Sequence, residues 1–449
     1  MATHVLPAYI PRRRAWQFAL GETSLMVLAL AAVIGVRFGH DALLLLRTAA
    51  AVPVGLVCLL ALLCFYLFDF YASPQLGDWR EVWRRLPLAA GALALLLAVL
   101  EWYWPGLRSA PRLGASSVVA VALAVAALRP LFLGWAQRRR PSGVLVVGTG
   151  ALADELCSQL QRHAELGVPL AGRLSEPHPL QLRALARAPG APWARCLLAA
   201  FPGGWATVEP QLRRHLEAAG CRLEEGALWY EQLSGQVPLA PLGEAPAAAG
   251  QPPRWLLAAK RGGDCALAGL GLLLTAPLLG LLALLIPLDS RGPAVFRQQR
   301  VGRGGRLFTL YKFRSMQVAA NQPGAARPAL RRDPRVTRLG RWLRKLRLDE
   351  LPQLVNILRG DMSLVGPRPF VPEQERECEQ VISGYALRWS VPPGATGWAQ
   401  VNRGYCVSLA DNAEKLGYDL YYIKHLSLWF DLMILFQTLK VVCLGRGGQ

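Results

Sequence analysis

Two adjacent carboxylates beside a dense basic stretch are the clearest candidates for chemistry in this 449-residue sequence. They are Asp349 and Glu350, and the basic residues before them are Arg338, Arg341, Arg344, Lys345 and Arg347. Neighbouring helical side chains point about 100° apart, so one carboxylate can attack while the other binds a metal. Phosphoryl transfer needs a nucleophile, charge neutralisation and alignment, which a carboxylate, Mg²⁺ and arginine supply together. The pattern therefore indicates phosphoryl transfer, although a solvated helix N-terminus is the commoner meaning of such a pair taken alone.

A second candidate is Arg368, which lies between prolines in Gly366-Pro367-Arg368-Pro369. Proline fixes its own φ and restricts the residue before it, so the backbone around Arg368 has little freedom. A planar guanidinium held in this way can bind phosphate oxygens through two parallel N–H groups. We therefore predict that Arg368 binds a substrate phosphate.

The first 140 residues are predicted to form a membrane region. The four apolar stretches there are Trp16–Val36, Thr48–Phe68, Leu86–Trp104 and Ala115–Trp135. Each is close to the ~20 residues that a helix needs to cross a bilayer. Nine arginines would share one side of four such spans, namely Arg12–Arg14, Arg80, Arg84, Arg85 and Arg138–Arg140. The positive-inside rule then places the N-terminus and everything after Arg138 in the cytoplasm. Buried helices of a soluble bundle are the alternative.

Residues 141–240 alternate between strand and helix patterns, which predicts an α/β, Rossmann-like domain. Gly143–Val147 and Arg195–Phe201 are the predicted strands. The Pro/Gly/Ala-rich residues 241–258 follow as a predicted linker, and residues 259–449 as an α-rich catalytic domain.

A glycine turn follows the first of these strands. Gly148, Gly150 and Ala153 form a G-x-G-x-x-A pattern between strand and helix, the setting of a dinucleotide or phosphate-binding turn. These three residues are therefore candidate cofactor-binding positions. Glu176 is the one plausible ribose-binding acid, and its spacing is loose. Close packing of the helix on the strand is the commoner reason for a lone glycine turn.

A fifth apolar run, Cys265–Leu288, carries no charge and contains Pro277. Basic residues flank it on both sides, namely Lys260 and Arg261 before it, and Arg291, Arg297 and Arg300 after it. A spanning helix would send one of these clusters outward, against the positive-inside rule. Because proline removes a backbone hydrogen bond and clashes with the preceding turn, we predict a helix broken at Pro277 that enters and leaves on the cytoplasmic side. An ordinary span with a mild kink is the alternative.

After this run, helical spacing of Leu339, Trp342, Leu343 and Leu346 among arginines predicts a helix lying in the headgroup plane. A simply solvated basic face is the alternative, and lipid contact is the interpretation that we favour beside a membrane-bound substrate.

Six ordered motifs carry a family resemblance. They are Gly292–Gly302, Phe308–Met316, Asp333–Arg344, Leu346–Pro369 (LRLDELPQLVNILRGDMSLVGPRP), Val391–Asn402 and Asp419–Lys424. Over Lys260–Leu444 the sequence resembles the bacterial sugar transferase family, the monotopic phosphoglycosyl transferases. The N-terminal spans, the α/β insert and Leu228–Pro238 resemble the large polyprenyl glycosylphosphotransferases of exopolysaccharide biosynthesis.

The resemblance implies roles for the acid pair. Asp349 becomes the nucleophile of a phosphosugar–aspartyl intermediate that forms with release of a nucleoside monophosphate. Glu350 becomes the metal-associated acid, with Mg²⁺ as cofactor. The carrier phosphate attacks the intermediate in a second step, which gives ping-pong kinetics.

The resemblance also bears on residues outside the acid pair. Lys312 and Arg314 correspond to the family's basic pair and are expected to meet substrate or carrier phosphate. Asp361 lies where the family carries an acid, with a phosphate-site role or a structural one. The family commonly has Ser-Pro at the break of the membrane helix, whereas this sequence has Ala276-Pro277 with Thr275 as a substitute cap.

The predicted function is transfer of a sugar 1-phosphate from a nucleotide sugar, by resemblance a UDP-sugar, to undecaprenyl or another polyprenyl phosphate. This would be the first membrane step of exopolysaccharide synthesis, on the cytoplasmic face of the bacterial inner membrane. The expected partners are the nucleotide sugar, the carrier and membrane lipid. The sequence does not name the sugar, the nucleobase or the oligomeric state, and a homo-oligomer is compatible with it.

Composition weighs against the rival functions. A net charge of +20 suits DNA as well as lipid or phosphate, yet no nucleic-acid-binding motif is present and we expect no nucleic-acid partner. A nucleotide-sugar dehydratase or oxidoreductase would need a complete cofactor fingerprint and a catalytic Tyr/Lys pair, and the insert has neither. The four apolar stretches hold almost no charged residues that could line a transport pathway. The nine cysteines show no metal-ligand spacing, so a zinc site is not expected.

Overall fold

Parallel strands with helices precede residue 235 in the computed structural model, and helices with short two-stranded sheets follow it. The structure describes residues 21, 24, 26–32, 51–68, 79–103, 122, 144–162, 170–175, 196–201, 203–218, 221–239, 252–317, 333–403 and 408–443. The helices with defined bounds are α1 (Ala51–Leu67), α2 (Trp79–Tyr103), α3 (Ala151–Arg162), α4 (Pro210–Ala218), α5 (Gly226–Ser234), α6 (Arg254–Asp289), α7 (Arg338–Lys345), α8 (Gln353–Arg359), α9 (Pro372–Val381), α10 (Trp398–Asn402), α11 (Leu409–Lys424) and α12 (Leu428–Cys443). The strands are β1 (Val144–Val147), β2 (Leu170–Leu174), β3 (Cys196–Ala199), β4 (Arg222–Glu225), β5 (Val295–Val301), β6 (Leu307–Phe313), β7 (Ser363–Val365) and β8 (Gly394–Thr396).

The second and third predicted spans overlap the helices α1 and α2, although α2 begins seven residues before the predicted Leu86. These helices and the helical residues 26–32 share one apolar core, which includes Met26, Leu30, Ala61, Cys64 and Leu93. Their outer faces are also apolar, since Leu59, Leu88 and Leu95 are more than half exposed. Most of the first predicted span and nearly all of the fourth, Ala115–Trp135, lie outside the described residues, as do most of the arginines used for the topology prediction.

Residues 144–234 contain a four-stranded parallel sheet in the order β2-β1-β3-β4, which confirms the predicted α/β character. Successive side chains of a strand point to opposite faces, and both faces of this sheet are covered. Val146 and Leu198 pack with α3 and α5, whereas Leu145 and Leu197 pack with α4. The chain passes from β1 to β2 on one side and then to β3 on the other side of β1. This reversal is where doubly wound sheets bind ligands, and the glycine turn lies there.

The described chain divides into two compact units at Gly235. Residues before the predicted linker already belong to the C-terminal unit: Trp398 Nε1 donates to the Gly235 carbonyl at 2.8 Å, and the Val237 amide donates to the Gly417 carbonyl at 3.0 Å. The C-terminal unit therefore begins earlier than the catalytic domain predicted to start at residue 259.

Helix α6 contains the fifth apolar run and begins eleven residues before it, at Arg254. The additional turns form because one stripe of the helix, Leu256, Lys260, Asp264 and Ala268, is buried at four-residue spacing. Among the described residues, α6 is the one helix long and apolar enough to cross a membrane. Its other faces expose leucines at 51% to 82%, namely Leu267, Leu270, Leu273, Leu274, Leu281, Leu284 and Leu288.

The predicted break at Pro277 is not an interruption of the helix, since α6 continues through both Pro277 and Pro287. Proline removes one backbone donor, and the hydrogen bonds on either side keep the helix continuous. Thr275 does not replace the missing donor, because its hydroxyl donates to the Gly271 carbonyl at 2.6 Å and not to that of Leu273. A Thr hydroxyl bonded to the preceding turn is often associated with a bend.

The two cations before the apolar run, Lys260 and Arg261, contact protein groups. Lys260 is 5% exposed and its Nζ lies 2.6 Å from Asp431 Oδ2 on α12. Arg261 donates to the carbonyls of Ile357 and Leu358 at the end of α8. Lys260 and Arg261 therefore hold the start of α6 against α12 and the end of α8.

The other end of α6 is held to the same unit. The Arg314 guanidinium donates to the carbonyls of Ile286, Ser290 and Arg291 at 3.4, 2.5 and 3.0 Å. Asp289 Oδ2 accepts from the amide of Leu339 in the first turn of α7 at 3.1 Å. Both ends of the apolar helix thus contact one folded unit.

Candidate active site

The acid pair lies in a short 3₁₀ turn, Leu348–Glu350, between α7 and α8, and not on the α-helix that its spacing suggested. Arg347 enters the turn with φ 54°, a left-handed conformation that costs a non-glycine residue about 1–2 kcal/mol. The Glu350 amide then donates to the Arg347 carbonyl at 3.2 Å and closes the turn. Neighbouring residues in a 3₁₀ turn point about 120° apart, so Asp349 and Glu350 enter different surroundings.

Glu350 binds three cations. Its Oε1 lies 3.4 Å from Lys312 Nζ and 3.2 Å from an Nη of Arg368, and its Oε2 lies 3.4 Å from an Nη of Arg347. Burial raises the pKa of Glu350, but Lys312, Arg368 and Arg347 together outweigh burial and lower it to about 2. The structure therefore brings Glu350, Lys312 and Arg368 together, and Glu350 stays ionised across the physiological range.

Lys312 approaches the pair from the antiparallel β5–β6 ladder, where it lies opposite Phe296. Burial lowers the pKa of Lys312, and Glu350 partly offsets that effect. Lys312 contacts Glu350 and also lowers the pKa of Asp349, so this strand supplies a cation that acts on both acids.

The pKa of Asp349 is shifted in the opposite direction to that of Glu350. Burial and the neighbouring Glu350 charge raise its pKa to about 6, and Lys312 and Arg344 only partly compensate. Two adjacent acids with pKa values of about 6 and about 2 have separate roles available to them. Asp349 is the more basic carboxylate, while Glu350 organises the cations.

Arg368 follows β7 in a closely packed loop. A side chain at Gly366 would place its Cβ 2.5 Å from the Pro392 carbonyl oxygen, so glycine is required for this approach. The Gly366 amide donates to Thr396 O on β8 at 2.9 Å. The loop carries the Arg368 side chain to Glu350, where one Nη donates at 3.2 Å.

Two predicted site residues have structural roles. Arg314 is 4% exposed and caps the C-terminal carbonyls of α6, which are unpaired because the helix ends there. Both of its Nη groups donate to main-chain carbonyls, and contact with substrate or carrier phosphate stays a prediction from the resemblance. Asp361 Oδ2 accepts from Asn356 Nδ2 at 3.2 Å, and Asn356 also bonds the β6 backbone at Thr309 and Tyr311. Asp361 is therefore placed to orient Asn356, which is the structural role that the resemblance left open beside the phosphate-site role.

The acid pair offers oxygen ligands of the kind that Mg²⁺ prefers. Glu350 alone is a poor fit, since a divalent ion there would lie among three cations. Asp349 carries the less neutralised charge, so the pair fits the ion better than Glu350 by itself. Within the described part of the chain, no group of three His, Cys, Asp or Glu residues has metal-binding geometry.

The glycine turn of the α/β unit is packed closely. A Cβ at Gly148 would lie 2.3 Å from the Ala200 carbonyl oxygen, and Ala153 is fully buried. Gly150 has φ +100° and faces open space. Arg173 donates to Gly148 O at 3.1 Å and pairs at 2.5 Å with Asp154.

Asp154 lies in the first turn of α3, where it puts a negative charge at the position that a pyrophosphate would face. Glu176, the acid considered for binding a ribose, lies outside the described residues. These contacts favour a packing role for the turn.

Comparison with known proteins gives one matching family model and several similar relatives. A family model described as bacterial sugar transferase matches residues 255–445. An undecaprenyl-phosphate glucose phosphotransferase of Komagataeibacter xylinus is 47% identical over 199 residues, 43% of this chain and 37% of the relative. A UDP-N-acetylgalactosamine-undecaprenyl-phosphate N-acetylgalactosaminephosphotransferase of Aeromonas hydrophila is 47% identical over 194 residues, 42% of this chain and 45% of the relative.

A shorter relative is covered more completely. A UDP-glucose:undecaprenyl-phosphate glucose-1-phosphate transferase of Caulobacter vibrioides is 47% identical over 181 residues, 40% of this chain and 67% of the relative. The match thus spans less than half of the two longer relatives and two thirds of this one.

Proposed function

Because the chain belongs to the bacterial sugar transferase family, we propose that it transfers a sugar 1-phosphate from a UDP-sugar to a polyprenyl phosphate. The observation that carries the proposal is the difference in pKa between the two adjacent acids. Asp349, with its pKa raised to about 6, is the more basic nucleophile, and Glu350 beside it binds Lys312, Arg347 and Arg368. The names of the relatives support undecaprenyl phosphate as the carrier. Those names include glucose and N-acetylgalactosamine, so the sugar stays open.

In the first step, Asp349 attacks the β-phosphorus of the nucleotide sugar. A bond forms between a carboxylate oxygen and this phosphorus, the bond to the bridging oxygen breaks, and its electron pair leaves with the nucleoside monophosphate. Lys312 and Arg368 bind the phosphate oxygens, and Glu350 holds both cations in place. In the second step, a phosphate oxygen of the carrier attacks the same phosphorus and restores the Asp349 carboxylate.

Mg²⁺ is the proposed cofactor, held by oxygens of the acid pair. When bound, it would neutralise charge on the diphosphate. The contacts of Glu350 in the structure make Asp349 the stronger contributor to such a site.

We expect the first step to fail in mild acid. Only the ionised Asp349 is a nucleophile, and its pKa is raised to about 6, so the reactive fraction falls as the pH drops through that value. Nucleoside monophosphate release in single-turnover experiments from pH 5 to pH 8 should show an acidic limb near 6. A rate that stays constant down to pH 5 would contradict the assigned nucleophile.

The proposed function is tested by product formation in nanodiscs. The full chain is incubated with a panel of UDP-sugars, with and without undecaprenyl phosphate, and UMP is measured. We expect catalytic UMP release with the carrier and about one equivalent without it, for at least one sugar. A folded protein that releases no UMP with any donor would overturn the proposal.

Helix α6 is proposed to enter and leave the membrane on the cytoplasmic face, where nucleotide sugars are found. Support comes from its two ends, which contact the same unit through Lys260 and Arg314. Helix α7 adds a neighbouring surface, since Trp342 is 62% and Leu346 50% exposed beside basic side chains, although Leu343 packs inward. An apolar edge with arginines around it suits the headgroup region of the bilayer.

Impermeant thiol labelling of intact cells distinguishes the two topologies of α6. Single cysteines replace Gly263 or Arg291 in a cysteine-free background, since both positions are exposed. We expect neither cysteine to react from the periplasm until the membrane is permeabilised. Periplasmic labelling of Arg291→Cys alone would show that α6 spans, and the proposed topology would be wrong.

A further inference from the structure

Behind Arg368 lies a buried arginine that the proposed chemistry does not use. Arg388, in the 3₁₀ segment Tyr385–Ser390, is 3% exposed. It lies between Glu375 on α9 and Asp419 on α11, which are 2% and 3% exposed. Burying three charges has a large desolvation cost unless their hydrogen bonds are well satisfied.

The hydrogen bonds of Arg388 are fully satisfied. A guanidinium has five N–H donors, and each of them has an acceptor here. Nε and one Nη2 hydrogen bind Asp419 Oδ2 at 3.2 and 3.0 Å, and Nη1 binds Glu375 Oε1 at 3.0 Å and Tyr385 Oη at 2.6 Å. The fifth donor, also on Nη2, binds the main-chain carbonyl of Arg368 at 2.9 Å.

The same cluster holds the residues next to Arg368. Glu375 Oε1, which binds Arg388, also accepts from the Phe370 amide at 3.2 Å, and the Arg388 guanidinium lies 4.8 Å from the centre of the Phe370 ring. The other main-chain bonds of this segment are Gly394 N to Pro367 O at 2.9 Å, Arg300 Nη1 to Pro369 O at 3.1 Å and Val301 N to Phe370 O at 3.2 Å. Every residue from Pro367 to Phe370 is therefore held by its main chain.

We propose that Arg388 is a positioning residue that fixes the main chain of Arg368, so that the Arg368 guanidinium meets both Glu350 and the substrate phosphate. The inference rests on the proposed function for the identity of that phosphate. Lysine at position 388 would keep the positive charge between Glu375 and Asp419, but its three donors cannot reproduce five directed bonds. Charge neutralisation and positioning are therefore separable by substitution.

A double-variant cycle with two readouts tests this. Arg388→Lys, Arg368→Ala and the double variant are compared with the unchanged protein in nanodiscs. The first readout is the rise in melting temperature caused by inorganic pyrophosphate, and the second is UMP release from a UDP-sugar. Tyr385→Phe is the matched control, because it removes one partner of Arg388 that has no contact with the Arg368 carbonyl.

We expect Arg388→Lys to lose most of the stabilisation by pyrophosphate and to lower UMP release about tenfold or more. When Arg368 is already replaced by alanine, adding Arg388→Lys should change either readout by less than about twofold. The two substitutions are then not additive, because Arg388 acts through Arg368. Tyr385→Phe should keep the pyrophosphate effect. If Arg388→Lys fails to fold, the uncharged set Arg388→Met, Glu375→Gln and Asp419→Asn replaces it in the same cycle.

Three results would overturn the proposal. They are equal losses from Arg388→Lys in both backgrounds, a loss in Tyr385→Phe as large as in Arg388→Lys, and an unchanged protein that pyrophosphate does not stabilise. Loss of pyrophosphate binding in Arg388→Lys, with no UMP release by the unchanged protein, would support the positioning role and refute the transferase function.

Discussion

Replacing Asp349 by asparagine is expected to abolish sugar-phosphate transfer and to leave the fold intact. An amide of nearly the same size is not a nucleophile, so we expect the rate to fall by roughly 10³-fold or more. The UMP assay with carrier present measures this loss. Asp361→Asn is the matched control, because Asp361 is the neighbouring acid that orients Asn356, and the amide can still accept that bond. Retention of more than a few per cent of the rate in Asp349→Asn would contradict the covalent role.

The same variant should be more stable at neutral pH. The pKa of Asp349 is raised from 3.8 to about 6 in the folded protein, so its ionised form is penalised by folding. That penalty is complete above about pH 6 and is small near pH 4. We therefore expect Asp349→Asn to raise the melting temperature at pH 7.5 and to have little effect at pH 4.

Replacing Glu350 by glutamine is expected to lower both activity and stability. Lys312, Arg347 and Arg368 would lose their common counter-charge and repel one another. The lowered pKa of Glu350 corresponds to about 3 kcal/mol of stabilisation of the folded state. This stabilisation is present above pH 4.5 and is lost as the pH falls towards 2. We expect roughly a hundredfold loss of transfer, with denaturant titration at pH 7 reporting the loss of stability. Glu379→Gln, on the exposed side of α9, is the control.

This variant also tests how the two acids are coupled. Glu350 is one cause of the raised pKa of Asp349, and its removal leaves nearby cations with less negative charge to balance. The acidic limb of the residual activity should therefore move below pH 6. A limb that stays at 6, or moves higher, would show that Glu350 does not set the ionisation of Asp349.

Some of the site followed from residue type and order alone. The motifs placed Asp349, Glu350, Lys312 and Arg368 in one candidate site, and the structure brings Glu350, Lys312 and Arg368 within hydrogen-bonding or ion-pair distance. Such a cluster is predictable because phosphoryl transfer needs cations that neutralise phosphate charge and groups that align the reactants. The left-handed backbone of Arg347 was not predictable, since arginine carries none of the conformational preference of glycine or asparagine.

The contact of Arg314 with the end of α6 was not predicted from the sequence. It lies two residues after Lys312, and alternation along a strand would put both side chains on one face. However, β6 ends at Phe313, and Arg314 turns to the carbonyls left unpaired at the end of α6. No local pattern shows that a helix more than twenty residues earlier needs this cap. Arg388 was missed for a similar reason, because its partners Glu375 and Asp419 lie on two different helices.

In the fold, too, the elements set by local sequence were predicted, and the element that depends on distant contacts was not. The strands expected at Gly143–Val147 and Arg195–Phe201 are confirmed as β1 and β3, because short β-branched or apolar runs are local features. The start of α6 was misplaced because its buried stripe includes Lys260 and Asp264. Hydropathy excludes those residues, whereas partners on α12 and β7 make their burial favourable.

The most direct test of the account is the mass of the peptide that contains Asp349. The protein is incubated with a reactive UDP-sugar without carrier, quenched, digested and analysed by mass spectrometry, with Asp349→Asn treated in parallel. We predict one sugar phosphate on this peptide in the unchanged protein, formed with about one equivalent of UMP and removed by undecaprenyl phosphate. None should form in the variant. An adduct on a different peptide, or carrier-dependent turnover without any adduct, would contradict the assignment of Asp349 as the nucleophile.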